Sequence, residues 1–262
     1  MSWVDSHAHL NDAAFENDLG QVIDCALEAG LKAIIVPGFD LASSVKAVEL
    51  AERYQLLWAA VGVHPHDAKT WDQDTAIKLG QLLAEPKVVA VGEIGLDYHY
   101  NYSTKEDQRK AFIEQISIAK QYNKPIIIHN REAHQDTLET LDREKVGEAG
   151  GVMHCFSGSE EMAAQFLRLG LHISFAGPLT FSNAVKLREA ALSIPLDMLL
   201  VETDSPYLAP HPLRGQRNGP ANVKLVGGKL AEIKKLPAEE VMRLTSANAQ
   251  ALFGIGKVGN SQ

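Results

Sequence analysis

Cysteine is scarce in this chain of 262 residues: Cys25 and Cys155 are its two. That argues against a disulfide framework and for a reduced, intracellular setting. Long apolar runs are missing as well. No stretch approaches the roughly 18 to 20 consecutive apolar residues of a membrane span, and the opening MSWVDSHAHLND lacks a basic start followed by an apolar run. We therefore expect a cytoplasmic protein with no membrane contact. Nor is there an excess of positive charge, since 25 basic against 33 acidic residues leave a net charge of -8. Such a balance opposes a sequence-independent, whole-surface grip on nucleic acid. A phosphate substrate would instead need a locally positive site, which bound cations and a few arginines can supply. The glycines form neither a phosphate-binding P-loop nor a dinucleotide fingerprint. Linkers and internal repeats are absent too, so residues 1–262 read as one domain with a frayed tail over 254–262.

What is present is a regular alternation. Short apolar runs at Val4, 33–36, 56–63, 87–91, 125–128, 151–153, 171–175 and 197–201 are separated by stretches of helical period. Continuously apolar strands divided by helices are the pattern of a parallel sheet covered on both sides. With His7, Val36, Val63, Glu93, His129, His154, Phe175 and Asp204 as strand ends, the spacings are 29, 27, 30, 36, 25, 21 and 29 residues. Eight such units predict a closed (β/α)8 TIM barrel. Two further helices are expected over 223–233 and 238–252, after a loop rich in Pro, Gly and Arg.

Six of the strand ends or their neighbours carry metal-ligand side chains. His7 and His9 stand two apart and so share one strand face; Glu93, His129, His154 and Asp204 each close a later apolar run. A barrel gathers the carboxyl ends of its strands at one face, so these six converge there. Any one of them alone would read as an ordinary satisfied polar residue. Six at matching positions predict a centre for two divalent ions, with Glu93 as the bridge because a carboxylate offers two oxygens. Three or more imidazoles suit zinc or manganese, and an oxygen-rich substrate also admits magnesium. Two such ions activate water and offset charge on a phosphoryl or acyl oxygen, which implies hydrolysis. Asp204 is placed to take the water's proton, with Glu202 on the same strand face as its support.

Around this set, His64 and His66 end the third run in VGVHPH, where a surface turn competes with a contact to substrate phosphate. Arg131 stands two residues past His129, and Arg214 and Arg217 lie in HPLRGQRNGP. For Arg131 a solvated helix start is the alternative to a phosphate contact, and for the two loop arginines a mobile surface loop. Cys155 has no evident base partner and is read as packed.

The motifs DSHAHL, VGVHPH, GEIGLDY, PIIIHNRE, HCFSGS and ETDSPYL resemble, in order and spacing, those of the TatD family of metal-dependent deoxyribonucleases, a branch of the amidohydrolase-like barrels. The likeness spans nearly the whole chain. It implies a barrel that binds divalent metals and cleaves phosphodiester bonds, often as a 3′-to-5′ exonuclease. Carried onto this sequence, it implies His7, His9, Glu93 and Asp204 around one metal, and Glu93, His129 and His154 around the other. It also implies that His64 contacts substrate phosphate and that Asp204 is the catalytic carboxylate. Many amidohydrolase relatives bridge their metals with a modified lysine; Glu93 in that position fits the TatD branch. The loop RGQRNGP is less charged than the family's version, at Gln216 and Gly219.

Three functions follow from these readings. The leading one is a metal-dependent phosphodiesterase acting on DNA ends through Asp204 and Glu93, with His64, Arg131 and Arg214 on the substrate. The second is an ester or amide hydrolase, such as one removing a D-amino acid from charged tRNA, since the same activated water can attack a carbonyl. The third is a protein that binds metal without turnover, which an open two-metal centre with a candidate base argues against. No obligatory protein partner is indicated.

Overall fold

In the computed structural model, which describes residues 2–256, eight strands alternate with helices from one end of the chain to the other. The strands are β1 (Trp3–Asp5), β2 (Leu31–Pro37), β3 (Leu57–Val61), β4 (Val88–Asp97), β5 (Ile126–Arg131), β6 (Gly151–Met153), β7 (His172–Phe175) and β8 (Leu199–Val201). All neighbours pair in parallel and in chain order. The edges β1 and β8 are then joined by backbone hydrogen bonds: Ser6 N–H to the Val201 carbonyl at 3.2 Å, His9 N–H to the Ser205 carbonyl at 2.7 Å and Asp204 N–H to the His7 carbonyl at 2.9 Å. The expected TIM barrel is what forms.

Helices α1 (Leu19–Glu28), α2 (Leu41–Arg53), α3 (Gln73–Leu82), α4 (Lys105–Gln121), α5 (His134–Arg143), α6 (Glu160–Arg168) and α7 (Val185–Ser193) follow the first seven strands, and α8 (Val223–Lys234) and α9 (Ala238–Phe253) follow β8. Polar side chains set several of their starts. Asp40, Asp72, Thr104 and Ser159 each accept a backbone N–H from the first turn of the helix they precede, satisfying donors that the helix itself cannot.

Apolar residues pack in two layers. A large layer between sheet and helices holds Phe112, Phe166 and Phe175, all almost fully buried. A smaller cluster of Val4, Ile35, Ala60, Val89, Ile127 and Leu200, drawn from six strands, fills the barrel interior. Phe253 and Ile255 join that cluster and close its amino-terminal end. Of the tail expected to fray, residues 254–256 form a turn with Ile255 buried, and 257–262 lie outside the described residues. No helix among the described residues is long and apolar enough to cross a membrane.

Two strands differ most from the sequence expectation. β1 stops at Asp5, so His7 and His9 sit on an extended tail just beyond it, with Ala8 bridged to Ser205. β4 runs on to Asp97 with every residue buried, six residues past the expected end at Val91. Glu93 is therefore inside a strand, and Asp97 stands at its end on the same face.

Candidate metal centre

The carboxyl ends of the strands surround a cleft of about 500 Å³ lined by His9, His64, Glu93, His129, His154 and Asp204, among others. His7 lies beneath, fully buried. Glu93 divides its two oxygens between two groups of imidazoles. Oε2 is 3.2 Å from His7 Nε2 and 3.5 Å from His9 Nε2. Oε1 is 2.8 Å from His129 Nδ1, 3.5 Å from His154 Nε2 and 3.6 Å from His64 Nε2. Across the first group, Asp204 Oδ1 lies 3.5 Å from His9 Nε2 and 3.8 Å from His7 Nε2. Asp204 adopts φ 55°, a left-handed conformation that Asp tolerates better than most residues, and it lines the cleft.

These residues fit a cation. Glu93, Asp97, Glu202 and Asp204 are all buried, and among the described residues their ion-pair partners are imidazoles only. Buried carboxylates without Lys or Arg need positive charge from elsewhere. The Nε2 atoms of His7 and His9 are 3.1 Å apart, too close for each to present a proton to the other. Their Nδ1 atoms are buried without partners. An ion shared at Nε2 removes the conflict and leaves both rings neutral.

The electrostatics show the same tension. Burial works against the charge on Glu93, but His154, His7, His64 and His129 outweigh it and hold the carboxyl well below its usual range. Burial likewise disfavours a charged His154, yet Glu202, Glu93 and Asp204 raise it to about 10. His64 goes the other way: burial and the neighbouring His129 lower it well below the usual value, keeping it neutral.

A second layer fixes ring orientation. His129 faces a carboxylate at each nitrogen, Nε2 at 3.0 Å from Asp97 Oδ2 and Nδ1 at 2.8 Å from Glu93 Oε1; Asp97 would keep the proton on Nε2 when a cation takes Nδ1. His154 Nδ1 is 2.7 Å from Glu202 Oε1, though off the line of the ring N–H, and Glu202 also accepts the Cys155 N–H at 2.8 Å. His64 Nδ1 accepts the backbone N–H of His66 at 3.1 Å. In the neutral ring this places the proton on Nε2, which faces the cleft 3.6 Å from Glu93 Oε1. Asp5 ties the two ends of the barrel together: Oδ1 accepts the N–H of His7 at 3.2 Å and of Thr203 at 2.9 Å, and Oδ2 accepts the Thr203 hydroxyl at 2.6 Å.

Most of the sequence-predicted site residues come together here. His7, His9, Glu93, His129, His154 and Asp204 share one constellation, and His64 and Arg131 line the cleft above it. His64 is buried, not part of a surface turn. Arg214 lies outside the lining, with its guanidinium 3.8 Å over the Phe181 ring. Arg217 pairs with Asp18. Cys155 is only half-buried, and burial followed by the nearby carboxylates of Asp204, Glu202 and Glu93 raises its thiol far above the usual value. Sequence reasoning overlooked Asp97, although its spacing of four from Glu93 puts both on one strand face. A larger cleft of about 770 Å³ opens at the opposite end of the barrel, between the starts of β2 and β3 and the end of α9. Among the described residues it holds no cluster of metal-ligand type.

Comparison with known proteins agrees with this picture. Residues 4–254 match the family model described as TatD related DNase. The chain is 45% identical over 251 residues to the uncharacterized metal-dependent hydrolase YabD of Bacillus subtilis, covering 96% of this chain and 98% of that one. It is 36% identical over 256 residues to the 3'-5' ssDNA/RNA exonuclease TatD of Escherichia coli, covering 96% and 98%. Among solved structures, the TatD homologue YjjV of Escherichia coli superposes with a TM-score of 0.92 at 35% identity, over 97% of this chain and 98% of that one.

Proposed function

The chain belongs to the TatD-related DNases and is a metal-dependent hydrolase; from that premise we propose that it is a 3′-to-5′ exonuclease acting on single-stranded DNA ends at a two-cation centre. The observation that carries this reading is the division of Glu93, one oxygen toward His7 and His9 and the other toward His129 and His154, with Asp204 across the first pair. His7, His9, Glu93 and Asp204 would hold one cation, and Glu93, His129 and His154 the other. Bound there, divalent cations supply Lewis-acid polarisation of a phosphoryl oxygen and acidify water.

The chain's own residues do the rest. Asp204 faces the cleft and is held below the ordinary carboxylate range, since hydrogen bonding to His9 and the charges of His154 and His7 outweigh its burial. It is therefore anionic at neutral pH and takes the proton of the attacking water on a carboxylate oxygen. His64 donates from Nε2 to a phosphate oxygen, and Arg131 supplies a planar cation at the rim. A floor of buried imidazoles, of low local dielectric, strengthens each of these contacts.

The test is release of mononucleotides from end-labelled single-stranded DNA by metal-stripped protein reloaded separately with magnesium, manganese or zinc. Metal-dependent shortening from the 3′ end, absent in Asp204→Asn and Glu93→Ala, is expected. Intact DNA in every lane, with metal bound by elemental analysis, would overturn the nuclease reading in favour of an ester or amide hydrolase such as a deacylase of charged tRNA.

A further inference from the structure

The rim of the metal cleft carries a stack of aromatic rings that the chemistry above leaves unused. Tyr100 and Tyr102 lie parallel, with centroids 5.4 Å apart and planes inclined by 2°. Both are well exposed, at 46% and 59%. The Arg131 guanidinium sits 4.7 Å over the Tyr100 ring, and His66 meets both rings edge-on at 5.5 and 4.9 Å. Tyr100 and Arg131 line the same cleft as Glu93 and Asp204.

The stack is held in place before any ligand arrives. Asp97 Oδ1 accepts the Tyr100 N–H at 3.1 Å, and Oδ2 is 3.0 Å from His66 Nε2. Ser103 Oγ donates to the His66 carbonyl at 2.8 Å and accepts the Lys69 N–H at 3.0 Å. The loop after β4 is thus pinned against the turn after β3, and the rings stand beside the metal-ligand layer through Asp97. A fixed, exposed aromatic stack beside a planar cation is what an unstacked base requires. Asp67 on the same rim would repel a phosphate, but stacking is indifferent to it.

We propose that Tyr100 and Tyr102 form a base-stacking subsite that receives an unpaired base of a single-stranded nucleic acid while the scissile phosphate lies on the metal centre. The inference rests on the nuclease reading and adds to it a reason for strand preference: bases inside a duplex are already stacked on their neighbours, so only a single strand can lend its terminal bases to the rings.

The experiment compares metal-loaded wild type with Tyr100→Ala, Tyr102→Ala and Tyr100→Phe on two single-stranded oligonucleotides, one with normal bases and one abasic near its 3′ end. Loss of a ring should raise KM for the normal oligonucleotide about tenfold, the scale of one base–aromatic contact, with kcat unchanged. Tyr100→Phe should keep the wild-type KM. The abasic substrate should show the raised KM already in the wild type and lose nothing further in the alanine variants. Alanine variants with the wild-type KM, or with equal losses on both substrates, would overturn the subsite and leave the nuclease standing. A wild type that cleaves neither oligonucleotide while retaining bound metal would overturn both.

Discussion

Replacing Asp97 by Asn leaves the path of strand β4 intact but changes what His129 is offered. The carboxylate faces His129 Nε2 and His66 Nε2 through Oδ2, each at 3.0 Å, and accepts the backbone N–H groups of His99 and Tyr100 through Oδ1 at 2.9 and 3.1 Å. Asn keeps an oxygen for the two backbone donors, so the loop retains its anchor. Its amide nitrogen then faces the imidazoles and must donate. His129 is forced to accept at Nε2 and to carry its proton on Nδ1, the atom 2.8 Å from Glu93 Oε1 that should bear the ligating lone pair. Losing an orienting partner of this kind costs roughly 10- to 100-fold in metal affinity, about 1.4–2.7 kcal/mol. Titration calorimetry of metal-stripped protein with zinc measures this directly, and circular dichroism confirms that the variant is folded. His66→Ala, which leaves the Asp97–His129 bond in place, should stay near wild type. An Asp97→Asn protein that takes up zinc with wild-type affinity would refute the argument.

Four further outcomes follow from the geometry. Gly95 has φ +145° and an added Cβ would meet the His129 carbonyl oxygen at 2.0 Å; Gly95→Ala should therefore displace β5 and cost about 3 kcal/mol or more in urea unfolding. Asp5→Ala removes the acceptor for His7 N–H, Thr203 N–H and the Thr203 hydroxyl, and should cost about 3 kcal/mol in the same assay while lowering kcat. Metal uptake should strengthen as pH rises through neutrality. Burial disfavours charged His154, but Glu202, Glu93 and Asp204 prevail and raise it to about 10, so a cation must displace its proton; calorimetry in two buffers of different ionisation enthalpy should register that release. The sign for the metal-free fold is consistent. A raised imidazole contributes stability that is complete below its ordinary value of 6.5 and is lost as pH climbs toward 10, so the metal-free protein should melt at progressively lower temperature across that window.

The barrel was legible because continuous apolar runs and period-3.6 stretches report burial directly, and burial is what a parallel sheet between helices imposes on every unit. The six ligand candidates were legible for a related reason: strand ends have a known destination in a barrel. Asp97 escaped because the apolar run was taken to stop at Val91, whereas β4 continues through Glu93, whose charge is tolerated by the imidazoles around it. His66 lies in a 3-10 turn over Pro65–Thr70 and Arg214 in a loop, segments too short or irregular for a period to constrain the path. His66 is drawn to Asp97 and Arg214 to Phe181, and neither contact leaves a trace in local spacing. His64's role as donor was equally hidden, since it depends on one backbone N–H two residues away.

The seam between β1 and β8 has a consequence for how the molecule comes into being. His7 and His9 emerge first from the ribosome, and Asp204 follows almost 200 residues later, so the proposed first cation site is complete only when the last strand docks against the first. A chain that stops before β8 holds those histidines with Glu93 but without Asp204, and should bind metal more weakly. Cation binding there would favour the finished barrel over shorter intermediates and tighten its closure between β1 and β8.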